Sequence, residues 1–285
     1  LAIAEDLGDG PDLTTVALVS PAMQGVANVV ARQRGCVCGL PVAEQVLAAF
    51  DPDLRISAKV TDGELVEPGT VLAQIKGPAR SLLTAERTLL NFVGKLSGIA
   101  TATLGYAAAI AHTPAKVLDT RKTTPGYRLL EKYAVACGGG ANHRMGLFDA
   151  VLIKDNHLAL GAQSLGVEHF SPSQAVAKAR QFLQSLPTDD ACQSAPIIVE
   201  IDHPDQLPSV LAEQPSVVLL DNMSVEQLRG CVDERNRTAP QVLLEASGGV
   251  TLETIAAIAE TGVERISIGA LTHSASWLDV ALDWV

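Results

Sequence analysis

The sequence predicts an α/β protein whose second part is a parallel barrel, on three observations. From Lys116 onward, short apolar runs alternate with helical stretches six times. The runs are almost continuously apolar, the pattern of strands covered by helices on both faces. Each run also ends in polar, charged or glycine-rich residues, as strands do on the functional face of such a barrel. Repeated βα units in series favour a closed barrel, with an open doubly wound sheet as the alternative. Six units fall short of a full ring, so the barrel is expected to be incomplete or to include an irregular strand.

"GVANVVARQRGCVCGL" has strand character, and "PVAEQVLAAF" opens like a proline-started helix. "LRISAKVTDGELVEPGTVLAQIKG" reads as strands punctuated by turns at Asp62-Gly63 and Pro68-Gly69. From Ser81 to about Ala111 an Ala-rich helical pattern predicts one long helix, or two with a break near Gly94 to Gly98. The predicted division is therefore 1–110 and 111–285. The six βα units then begin with "KVLD", "DAVLIK", "PIIVEI", "SVVLLD", "QVLLEA" and "RISIG". "SASWLDVALDW" is read as the last helix and is expected to pack back on the N-terminal part.

Bulk properties exclude several classes. A net charge of -11 argues against a general nucleic-acid surface, though a small anion in a local basic pocket remains open. No apolar run is long enough to span a membrane. The start, "LAIAEDLGDGPDLTT", is too acidic for a signal peptide, and without an initiator Met it leaves residues before Leu1 open. Five cysteines without a C-x-x-C pair fit a reduced, cytoplasmic protein. Cys36 and Cys38 would share one strand face, where a core role is expected.

The strand ends carry the chemistry. Arg121, Lys122, His143, Arg144 and Lys154 form a positive group suited to carboxylates and phosphates. In the same region a solvated helix face would absorb Arg128 and Lys132. Glu200 and Asp221 end neighbouring strands and suit Mg²⁺ or a developing cation. "ASGG" and "GALTHS" follow the last two strands, where barrels often cradle a phosphate on backbone N–H groups. Together they describe a small multi-carboxylate acid and a partner phosphorylated at two separated places.

The stretches "EDLGDGPDLTT", "LLTAERTLLNFVGKLSGIAT", "DTRKTTPGYRLLEKYAV", "GGGANHRMGLFDAVLIKDNH", "VEID", "LLDN", "ASGGV" and "IGALTHS" fall in order along nearly the whole chain. In them the sequence closely resembles the quinolinate phosphoribosyltransferase family (nicotinate-nucleotide pyrophosphorylase, carboxylating). The resemblance implies an open-faced α/β sandwich followed by an incomplete α/β barrel. It also implies transfer from 5-phosphoribosyl-1-pyrophosphate to quinolinate with Mg²⁺, giving nicotinate mononucleotide, pyrophosphate and CO₂. By the same resemblance Arg121, His143, Arg144 and Lys154 surround the quinolinate carboxylates, and Arg87 arrives from the second subunit of a homodimer. Lys122 would lie near the pyrophosphate, Glu200 and Asp221 near ribose and metal, and Ser247, Gly248, Gly269 and His273 near the 5-phosphate.

Blander readings stand beside these. Lys154 could form a Schiff base, as in barrel aldolases, but its basic neighbours favour an anion contact. Cys137 is expected to be a buried helix-end thiol rather than a nucleophile. His112, His169 and His203 lie off the strand-end pattern and read as surface or structural residues. "VTDGELVEPGTVLAQIKG" resembles the hairpins of biotinyl and lipoyl carriers, yet Lys76 lacks their Met-Lys-Met-like context. A related transferase acting on nicotinate, or a barrel lyase using Lys154, is the alternative within enzymes. Five cationic groups exceed what one carboxylate needs.

Overall fold

The computed structural model describes residues 1–187 and 190–285. Twelve strands are present among them: β1 (Gln24–Ala31), β2 (Gly35–Cys36), β3 (Arg55–Ala58), β4 (Leu65–Val66), β5 (Val71–Pro78), β6 (Lys116–Leu118), β7 (Val151–Ile153), β8 (Ile197–Ile201), β9 (Val217–Asp221), β10 (Leu243–Ser247), β11 (Arg265–Ser267) and β12 (Val280–Trp284). Two compact units contain them. One gathers Leu1–Leu104, Leu129–Gly139 and Ala270–Val285; the other comprises Gly105–Arg128 and Gly140–Gly269.

The first unit is built on an antiparallel sheet of order β12-β1-β5-β3. Helix Leu40–Phe50 and the long helix Ala79–Ala109 supply its apolar cover, with Leu47, Leu82, Leu89 and Val93 packed among Ala27, Val29, Leu72 and Ile75. The long helix is unbroken over 31 residues. Its glycines are contact points rather than breaks: a Cβ on Gly98 would stand 2.1 Å from the Ser276 carbonyl oxygen. The segment read as a last helix is instead β12, which pairs with β1 from Ala27↔Trp284 to Ala31↔Val280. Val280, Leu282 and Trp284 alternate with Ala281 and Asp283, a period of two that suits an edge strand. Asp283 also forms an ion pair with Arg32 of the Arg32–Arg34 segment. Lys76 lies inside β5, between Val26 and Arg55 on its neighbours, and not at the turn a carrier lysine needs. The helix Arg128–Cys137 belongs almost wholly to this unit, and its Lys132 is fully buried, contrary to the expected solvated face.

The second unit holds a six-stranded parallel sheet of order β6-β11-β10-β9-β8-β7. All six predicted strands are present. β6 and β7 occupy the two ends of the order, so this is a barrel left open between its first and second strands. Ala150, Ile198, Val217 and Leu219 pack together on its inner side. Because strand side chains alternate, Glu200 shares a face with Ile198, and Asp221 shares one with Val217 and Leu219. The register places Glu245 beside Leu219 and Ser247 beside Asp221. The residues that end these strands are thus delivered to the interior by the same alternation that builds the core. Among the described residues, no helix is long and apolar enough to cross a membrane.

Candidate active site

At the carboxyl ends of the parallel strands lies a cavity of about 290 Å³. Arg121, Lys122, His143, Arg144 and Lys154 line it together with Ser247, Ser267, Glu245, Leu152 and Leu219. Five of the predicted cationic or imidazole groups therefore meet in one place, although they span 34 positions of sequence from Arg121 to Lys154. Local bonds explain how. The His143 N–H donates to the buried Asp119 carboxylate (2.9 Å), and Asp119 follows directly on β6. Asp149 accepts from the Met145 N–H (2.6 Å) and the Gly146 N–H (3.0 Å), which folds the loop behind Arg144. Arg128 ties the same loops together, donating to Thr123 Oγ1 and to the Met145 carbonyl oxygen, both at 3.0 Å.

The electrostatics of this pocket are unbalanced toward positive charge. The Nε groups of Arg121 and Arg144 are both buried and have no hydrogen-bond partner. Burial, and then the adjacent Arg121 charge, pull the Arg144 guanidinium below its ordinary value. Two half-buried arginines side by side, each with a buried Nε that lacks a partner, suit an anionic ligand. Lys154 pairs with Glu200. The Arg144 N–H donates to His143 Nδ1 (2.7 Å), so the ring carries its proton on Nε2. That nitrogen stands 3.3 Å from Oε1 of Glu245, whose Oε2 accepts from Arg265 Nε at 2.7 Å. Burial pushes the Glu245 carboxyl up, but its His143 and Arg265 contacts outweigh it and hold the group below the usual glutamate range.

The two predicted carboxylates, Glu200 and Asp221, lie on the paired strands β8 and β9 and are not among the cavity's lining residues. Glu200 is the penultimate residue of β8 and Asp221 the last of β9, and each is less buried than the residues that precede it in its strand. Asp221 Oδ2 accepts from Asn222 Nδ2 at 2.8 Å. A pair of carboxylates with oxygen-only donors fits Mg²⁺ and does not favour a softer ion. Next to them Gly248 has φ +96°, and a Cβ there would meet Asn222 Oδ1 at 2.1 Å. Only glycine lets this loop close on the end of β9.

Residues 99–283 match the quinolinate phosphoribosyl transferase C-terminal domain, and residues 12–97 match the N-terminal domain of the same family. The chain belongs to the quinolinate phosphoribosyl transferase family. It is 44% identical over 284 residues to the nicotinate-nucleotide pyrophosphorylase [carboxylating] of Mycobacterium leprae, covering 99% of this chain and 94% of that protein. It is 39% identical to quinolinate phosphoribosyltransferase [decarboxylating] 1 of Nicotiana glauca, covering 99% of this chain and 80% of that one. The solved nicotinate-nucleotide pyrophosphorylase of Francisella tularensis superposes with a TM-score of 0.88 at 37% identity, covering 100% of this chain and 93% of that one.

Within this phosphoribosyl transferase fold, the remaining predicted residues fall differently. Gly269 closes the second unit, whereas His273 ends the helix Ala270–His273 in the first unit, with Nδ1 2.6 Å from Ser274 Oγ. Arg87 is exposed on the long helix and is not among the cavity's lining residues. His112, His169 and His203 are exposed, and His112 pairs with Glu260 at 3.2 Å. His157 accepts the Lys154 N–H at 2.9 Å through Nδ1 and so caps its own helix, Asp155–Leu165. Sequence reasoning gave no role to Asp119, Glu245 or Ser267. The signal was available for Glu245: a carboxylate between Leu244 and Ala246 in a buried strand requires partners.

Proposed function

We propose that the protein transfers the phosphoribosyl group of 5-phosphoribosyl-1-pyrophosphate to quinolinate with decarboxylation, yielding nicotinate mononucleotide, pyrophosphate and CO₂. This is the reaction for which the relatives are named. The observation that carries it is the pair of buried, partnerless guanidinium Nε groups of Arg121 and Arg144, with Lys154 and His143 beside them. A planar acid with two adjacent carboxylates uses such a surplus; nicotinate, with one, leaves part of it unpaired.

The roles are those that the family resemblance implies for these positions. Arg121, His143, Arg144 and Lys154 hold the diacid. Lys122 faces the pyrophosphate, and Ser247, Gly248 and Gly269 receive the 5-phosphate. Glu200 and Asp221 would hold Mg²⁺, directly or through substrate, and the bound ion would neutralise pyrophosphate charge. As the C1–oxygen bond to pyrophosphate breaks, the sugar becomes cationic, and the two carboxylates offset that charge. The pyridine nitrogen bonds to C1. The cationic ring then accepts the electron pair left by the departing CO₂, and C2 takes up a proton. No protein nucleophile is needed, and positioning does most of the work. In this reading Arg87 reaches the site from the second subunit of a homodimer.

Incubation with phosphoribosyl pyrophosphate, Mg²⁺ and either acid tests the reading. We expect quinolinate to yield nucleotide and CO₂ in equal amounts, and nicotinate to be a very poor substrate. Leaving one cation unpaired costs about 2–5 kcal/mol on the scale of broken charge pairs. Equal turnover of the two acids overturns the assignment.

A further inference from the structure

The first unit contains a cluster of donors that the transfer reaction does not use. Cys38 follows β2, Asp62 precedes β4, and Cys137 ends the helix Arg128–Cys137. One potential ligand atom from each lies within 4.8 Å of the other two. In a tetrahedral zinc site with bonds of about 2.0–2.3 Å, ligand atoms stand roughly 3.3–3.8 Å apart. Side-chain movement of about an ångström therefore closes the set.

The supporting bonds hold the pieces in place. The Cys38 N–H donates to Ser97 Oγ at 2.8 Å, and that hydroxyl donates back to the Cys38 carbonyl at 3.1 Å. Asp62 accepts from the Gly39 N–H at 2.8 Å, the Leu40 N–H at 3.1 Å and the Tyr133 hydroxyl at 2.9 Å. A carboxylate offers about four lone-pair directions, so one stays open on Asp62. Two thiols and a carboxylate thus converge on one point, a donor set that a single cation can satisfy. Asp62 and its partner Tyr133 also border a cavity of about 440 Å³, while neither Cys38 nor Cys137 lines it.

We propose that Cys38, Cys137 and Asp62 form a binding site for one soft divalent cation of the zinc class, separate from the oxygen-only pair Glu200 and Asp221. Two thiolates select such an ion over Mg²⁺, and the fourth position takes water. Binding forms two metal–sulfur bonds and one metal–oxygen bond and releases both thiol protons to solvent, so affinity rises with pH. The ion ties together three segments distant in sequence and stabilises the first unit by mass action.

The test titrates the full-length, reduced protein with Co²⁺ as a spectroscopic probe and Zn²⁺ as competitor. We expect one equivalent of thiolate-to-cobalt charge-transfer absorption, displaced by Zn²⁺ and insensitive to excess Mg²⁺. Cys38→Ser and Cys137→Ser should abolish it and weaken Zn²⁺ binding by more than the roughly 10–100-fold that outer-shell changes cost. Cys231→Ser, a buried thiol of the second unit, should retain it. Absence of the band in the unaltered protein, or its persistence in both serine variants, overturns the proposal. A Cys38–Cys137 disulfide that survives reducing buffer does the same. Should a serine variant fail to fold, alkylation of Cys137 in the unaltered protein decides: Zn²⁺ should slow it at least about tenfold, and an unchanged rate overturns the site.

Discussion

Glu200 and Asp221 differ from the residues preceding them in their strands by being charged and partly open at the sheet's active end. In Glu200→Gln and Asp221→Asn the size is kept and the charge removed. Quinolinate binding should persist, while turnover falls ~100-fold or more for at least one variant. Normal turnover in both would make these carboxylates structural. Glu245 acts differently: it touches His143 and Arg265 and is fully buried. Its folded carboxyl lies below the unfolded value of about 4.3. Its contribution to stability is therefore complete above that value and is lost as pH falls through the lower folded value. Glu245→Gln should cost at least about 1 kcal/mol at neutral pH, and the gap to the unaltered protein should narrow on acidification. Melting curves for the two proteins that stay parallel from about pH 6 to pH 3 would show that Glu245 is not part of the acid limb.

At the scale of elements, the same substitution should have opposite signs in two helices. Gly98 lies on the helix Ala79–Ala109, with the Ser276 carbonyl where a Cβ would sit. Gly94, one turn earlier, accepts the Leu278 N–H at 2.9 Å, so the segment leading into β12 lies directly on the helix backbone. Gly98→Ala must push that segment away and should destabilise by about 1–3 kcal/mol, the usual cost of overpacking. Alanine's better helix propensity does not compensate. Gly230, on the helix Val225–Thr238, has nothing within 4 Å of its Cβ position. Gly230→Ala should stabilise by about 0.4–1 kcal/mol. Urea denaturation of both variants checks the pair, and a neutral Gly98→Ala would mean that the close approach is not maintained in solution.

At the scale of the whole molecule, Arg87 is the residue a single chain leaves unexplained. It is exposed on a helix of the first unit, while the cationic cavity is built entirely from the second. If the active species is a two-fold dimer sharing Arg87 across its interface, Arg87→Ala and Lys154→Ala homodimers are both inactive. Their hybrid places both defects in one pocket and leaves the other intact. Equal mixing should restore about a quarter of the unaltered activity for a randomly assorting two-fold dimer. Verified hybrids without activity would show that Arg87 acts within its own chain or not at all.

Much of this architecture is legible in local sequence. Six apolar strand runs with polar ends, visible without any partner, specify a parallel α/β barrel and the end at which its site lies. They also supply Arg121, Lys122, Lys154, Glu200 and Asp221, because strand alternation is local and needs only the next few residues. The C-terminal strand was not legible: "SASWLDVALDW" carries both helical and alternating patterns, and only the open edge of β1, some 250 residues earlier in the chain, decides between them. The continuity of the long helix through Gly94 and Gly98 was decided by what lies against it. The burial of Lys132 and the contacts of Glu245 with His143 and Arg265 were likewise invisible, since a charge in a buried element reads as misplaced until its partners from distant segments are known. Local periodicity belongs to the chain, whereas edge pairing, close approach and the compensation of buried charge exist only once distant segments meet.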